Sequence, residues 1–140
     1  MHELIKKSAT EIRNMLLNKK IKPSELVQLS LDRINEVDPV INAMPTICAE
    51  RAMEHAKKIE NDNNANQNSF NNLAGIPISI KDLVPVQGVK TTWGSPLFKD
   101  HIPEKSDFLV ERLEQNGGIV MGKSNTPEFG AGANTFNEVF

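Results

Sequence analysis

Apolar residues recur at helical intervals through the first 60 positions and then give way to alternation near residue 76. Ser8-Ala9-Thr10-Glu11 has the spacing of a capping box, and Ile12, Met15 and Leu16 follow on one helical face. Pro23 suits the first position of a second helix, with Glu25 in its first turn. Leu26, Leu29, Ile34 and Val37 supply that helix with an apolar stripe, and Asp38-Pro39 is expected to end it. Positions 42–48 predict a short strand, and positions 49–59, rich in Ala, Glu and Lys, a third helix.

The pattern then breaks. Seven asparagines fall between Asn61 and Asn72, with only Phe70 to bury, which predicts a solvated surface loop. Beyond it Ile76, Ile78 and Ile80 alternate with Pro77, Ser79 and Lys81, the periodicity of a strand. Pro85, Gly88, Gly94 and Pro96 divide the next stretch into loops. Ser106-Asp107 opens a helix with Phe108, Leu109 and Leu113 as its apolar stripe, stopping at Asn116-Gly117-Gly118. Ile119-Val120-Met121 reads as a short buried strand. Helices followed by strand, helix and strand predict an α/β architecture. The divisions are a helical region at 1–60, the asparagine-rich loop at 61–73, and a strand and helix region at 74–140, all within one domain.

Composition narrows the function classes. The 140 residues suffice for one domain, with 39% hydrophobic and 24% charged residues. A formal net charge of -2 gives no basic face for direct nucleic-acid binding. No uninterrupted apolar run reaches the length of a membrane span, and the N-terminus lacks the apolar stretch of a secretory signal. Cys48 is the single cysteine, so no internal disulfide can form and a reducing cytoplasm is the expected location. His2, His55 and His101 are too scattered to make a closed zinc site with it, and neither metal nor cofactor is expected.

Three segments carry candidate chemistry. Gly117 to Ser124 matches the phosphate-loop pattern GxxxxGK[ST], but a helix precedes it and its middle is Ile-Val-Met. A phosphate loop needs a strand before and a helix after, so Lys123 is expected to be an ordinary polar residue at a strand end. Lys81 closes the run Gly75-Ile76-Pro77-Ile78-Ser79-Ile80, beside Ser79 and opposite the isoleucines. Residues at the C-terminal ends of sheet strands line ligand crevices. If both faces of the strand are covered, desolvation favours the neutral amine, which can then serve as a general base. The competing reading is a solvated lysine paired with Asp82. The third segment, 123–135, alternates small residues with hydroxyls and amides, so Ser124 and Asn125 are candidates to hydrogen-bond a substrate carbonyl or amide. Cys48 and Trp93 are expected to pack rather than react.

The stretch Ala74-Gly75-Ile76-Pro77-Ile78-Ser79-Ile80-Lys81-Asp82 resembles the lysine-bearing segment of the amidase signature family. The resemblance continues through Gly88-Val89-Lys90-Thr91-Thr92-Trp93-Gly94-Ser95-Pro96 and Gly122-Lys123-Ser124-Asn125-Thr126-Pro127-Glu128-Phe129. It implies an incomplete, N-terminal portion of the amidase signature fold, with helices packed on a mixed β-sheet. It also implies cleavage of carboxamide C–N bonds by a Ser-(cis)Ser-Lys triad in the complete enzyme, with Lys81 at the family's lysine position. The two serines of that triad lie in glycine- and serine-rich segments, and none of the eight serines here has such a context. The expectation is therefore a truncated product, inactive alone, whose substrate in complete form is a small amide. Its expected partner is the missing C-terminal portion or a second copy. The alternatives are part of the amidase-like subunit of a tRNA-dependent amidotransferase and a non-enzymatic truncated or pseudogene product.

Overall fold

The computed structural model describes residues 3–61 and 72–140. A short 3-10 turn at Glu3–Lys6 leads into α1 (Ala9–Leu17), α2 (Pro23–Ile41), β1 (Thr46–Ile47) and α3 (Ala49–Asn61). Past the undescribed stretch come β2 (Pro77–Lys81), α4 (Phe108–Gln115) and β3 (Ile119–Ser124). The three strands form one mixed sheet in the order β1-β3-β2, antiparallel between β1 and β3 and parallel between β2 and β3. The expected asparagine-rich loop lies, apart from its ends, outside the described residues.

The helix entries follow the sequence pattern. Ser8 caps α1 with both halves of a capping box in place. At the start of α2, the Glu25 carboxylate accepts the Lys22 backbone N–H at 2.8 Å, next to Pro23 in the first turn. The exit of α2 differs from expectation: Pro39 lies inside the helix, which continues to Ile41. A proline in the last turn forfeits a single N–H bond, whereas the chain turns away only at Asn42, in the left-handed region with φ 48° and ψ 43°. The Asp38 carboxylate secures that exit by accepting the backbone N–H groups of Ala43 at 2.7 Å and Met44 at 3.0 Å.

The core forms layers on either side of the sheet. Val27 and Leu31 of α2, with Ala52 and Ala56 of α3, pack on Ile119 and Met121. Ile80, Val86, Val89, Val110 and Val120 fill the opposite side. The stripe expected for α2 is met in part: Leu26 is buried and Ile34 packs against the core, but Val27 and Leu31 are buried as well, while Leu29 and Val37 are half-buried. In α4, Asp107 caps the helix and Leu113 packs against the core as expected, but the fully buried residue is Val110. Phe108 and Leu109 remain 66% and 52% exposed, because an eight-residue helix meets the sheet over one turn only.

Candidate active site at the end of strand β2

Parallel pairing brings the ends of β2 and β3 together, with Ile80 opposite Lys123 and Lys81 opposite Ser124. The register slips between Ile78 and Ser79: Ile78 pairs with Val120, but Ser79 pairs with Gly122, so β3 carries one extra residue. That extra residue reverses the alternation along β3. Val120 and Lys123, three positions apart, consequently face the same side as Ile78 and Ile80. Without it, Lys123 would share a face with Ile119 and Met121.

Lys123 is fully buried, which corrects the expectation of an ordinary polar residue at a strand end. Its ammonium donates to the Val84 carbonyl at 2.8 Å and to the Thr91 hydroxyl at 2.7 Å, and lies 3.3 Å from the buried Asp82 carboxylate. Three donors thus meet three acceptors. Burial pushes the Lys123 ammonium below the ordinary lysine range, and the Asp82 charge opposes that shift. Asp82 in turn accepts the Thr92 backbone N–H at 3.1 and 3.2 Å and the Thr92 hydroxyl at 2.5 Å. No N–H of Lys123 is left to address a substrate.

Lys81 occupies the other face. It is exposed, beside the exposed Ser79, with half-buried Ser124 on the neighbouring strand. No described residue holds its amine by a hydrogen bond, so Lys81 is not the solvated partner of Asp82 that spacing alone allows. The shielding that would favour a neutral amine is not supplied by the described residues either. Alongside, Ser79, Ser30, Arg33, Ile34 and Met121 line an open recess of about 310 Å³ between α2 and the sheet.

The remaining candidates divide in the same way. Asn125 is engaged throughout: its amide donates to the Asn42 carbonyl at 3.0 Å, and its oxygen accepts from Thr126 N–H at 2.9 Å and from the Asn137 amide at 2.8 Å. It clasps the segment after β3 to the exit of α2. Cys48 is half-buried, its thiol directed at the Val120 carbonyl, and burial pushes its pKa up. Trp93 donates its indole N–H to the Leu83 carbonyl at 3.0 Å and meets Phe98 edge-on at 4.9 Å, a packing role. Among the described residues no group of three His, Cys, Asp or Glu side chains could hold a metal ion.

Sequence reading missed the buried pair Asp82–Lys123. The one available signal was two lysines at or next to a strand end, one followed by an aspartate and the other by a serine.

The fold is that of the amidase class, as comparison with known proteins shows. The family model described as Amidase matches residues 25–140, and the chain belongs to that family. It is 36% identical over 138 residues to the A subunit of the glutamyl-tRNA(Gln) amidotransferase of Sulfurihydrogenibium sp., covering 99% of this chain and 28% of that protein. The protein of the same name from Dehalococcoides mccartyi is 33% identical over 140 residues, again covering 28% of its length. Among solved structures, an amidase family protein from Bacillus anthracis str. Ames superposes with a TM-score of 0.78 at 32% identity, over 90% of this chain and 25% of that one. A 6-aminohexanoate cyclic dimer hydrolase, solved with its substrate, gives 0.81 at 26% identity, over 95% and 26% respectively. The chain thus spans about 28% of the length of the curated relatives it matches and has the architecture of one part of the amidase signature fold.

Proposed function

We propose that this chain supplies the lysine of a Ser-(cis)Ser-Lys amidase, as the N-terminal part of a single amidase domain, and that it does not cleave amides by itself. The observation that carries the reading is Lys81 at the C-terminal end of β2, unpaired among the described residues and beside Ser124, in a chain of the amidase family. A nucleophilic serine supplied by the rest of the domain attacks the amide carbon and passes its proton to a bridging serine. That serine hands its own proton to the Lys81 amine. The lysine side returns a proton to the leaving nitrogen, and water then hydrolyses the acyl-enzyme to the acid. For this, Lys81 must be neutral, so the rest of the domain must cover the face that is open here. In this reading Ser124 contacts the substrate amide and Asn125 lines the pocket. No cofactor enters these steps, and the cytoplasm is the proposed location.

The test joins this sequence to the serine-bearing remainder of an amidase domain and measures ammonia release from small primary amides. Turnover should appear in the joined protein, be absent from the 140-residue chain, and be abolished by Lys81→Ala with the fold retained. Full turnover in Lys81→Ala would refute the assignment.

A second reading is favoured by the names of the curated relatives: part of an amidotransferase subunit that moves ammonia to a tRNA-linked acyl group. Co-purification with partner subunits, and ammonia transfer in place of free amide hydrolysis, would select it.

A further inference from the structure

Lys123 has no access to a substrate, yet it grips the turn on which Lys81 stands. That turn runs Lys81-Asp82-Leu83-Val84 and is closed by the Val84 N–H donating to the Lys81 carbonyl at 2.9 Å. Lys123 reaches its second residue through the Asp82 carboxylate and its fourth through the Val84 carbonyl. The backbone of Asp82 is fixed as well, its N–H donating to the Ser124 carbonyl at 2.9 Å and its carbonyl accepting from Trp93 N–H at 3.0 Å. The Asp82 side chain carries the connection onward to the loop through Thr92, whose hydroxyl also accepts the Gly94 N–H at 3.0 Å. An ion pair in such a place gives little net stability over a well-packed apolar pair, but its geometry is unique.

We propose that Lys123 is a positioning residue for Lys81: from the buried face, through Asp82, Thr91 and Val84, it fixes where the Lys81 amine emerges on the open face. The proposal rests on the assignment of Lys81 made above. A base must stand within hydrogen-bond reach of the proton it takes, and a displacement of about an ångström lowers turnover while leaving substrate binding intact.

Two variants separate positioning from general stability in the joined amidase. Thr91→Val removes one of the three acceptors at near-constant volume. Lys123→Met with Asp82→Asn removes both charges and leaves an acceptor for Thr92. Each should remain folded by thermal melting, lose at least about tenfold in kcat, and keep KM within about twofold. In the joined amidase, the amide hydrogens of positions 82 and 84 should exchange faster in both variants, with those of α2 and α3 unchanged. Competitive acylation of the unaltered chain should label Lys81 at least about a hundredfold faster than Lys123, which can react only through local opening. Equal labelling would show an open clamp and overturn the proposal even if neither variant folds. Unchanged kcat in a folded variant, while Lys81→Ala is inactive, would remove the positioning role alone. Turnover surviving in Lys81→Ala would instead remove the assignment on which it rests.

Discussion

At the scale of single residues, position on the sheet separates two lysines of identical chemistry. Lys81 ends β2 and Lys123 lies one residue before the end of β3, yet one is exposed and the other has no exposed surface. Replacing Lys123 by Ala should cost about 3–5 kcal/mol, since it strands the buried Asp82 carboxylate without its counter-charge. Asp82→Asn added to Lys123→Ala should recover part of that loss in a denaturant titration. Gly122 is equally constrained, because a Cβ there would sit 2.2 Å from the Thr46 carbonyl oxygen, a backbone atom that cannot move aside cheaply. Gly122→Ala should therefore destabilise the joined amidase by about 2 kcal/mol, read from the denaturant midpoint. Lys81 was legible from alternation and from the family resemblance. The Asp82–Lys123 pair was not, since alternation along Ile119, Met121 and Lys123 places the lysine on the opposite face.

Among the elements, the helix starts are local devices and obey local rules. The Glu11 carboxylate accepts the Ser8 backbone N–H and hydroxyl, each at 2.8 Å, and these bonds hold its pKa below the ordinary glutamate value of 4.5. A depressed carboxylate stabilises the folded state above its unfolded pKa and ceases to do so as the pH falls through its folded value. The first turn of α1 should accordingly fray as the pH drops below about 4.5, seen as faster exchange of the Ser8 and Glu11 amides. Glu11→Gln should remove that pH dependence and leave the contact between the Ser8 hydroxyl and the backbone N–H of residue 11 in place. The exit of α2 shows where local rules give out. Asp38-Pro39 has the form of a stop signal, but a proline in the last turn forfeits one N–H bond only, and the helix runs on through exposed Val40 and Ile41 until Asn42 adopts positive φ.

For the whole molecule, the sheet is covered unevenly. Among the described residues β2 pairs with β3 alone, so its other edge is open, and the Ser79 and Lys81 face is exposed. Val40, Leu97, Phe136 and Phe108 are 88%, 83%, 78% and 66% exposed. Open edges and apolar patches drive association. The isolated chain should self-associate in sedimentation experiments at micromolar concentration, and a monodisperse monomer with a sharp cooperative melt would contradict this. Co-expression with the serine-bearing remainder of an amidase domain should suppress the association.

The chain's order of helices and strands, their capping residues and the placing of Lys81 at a strand end all follow from short-range periodicity, because a side chain's face within one element depends only on its neighbours. The register of β3 against β2 does not. One additional residue between Val120 and Gly122 turns Lys123 inward to Asp82, and only the fit of the two strands and the layers on either side of them sets that slip. The same long-range packing selects Val27, Leu31 and Val110 for the core over apolar neighbours that periodicity favoured equally. Burial is a property of what another part of the chain covers.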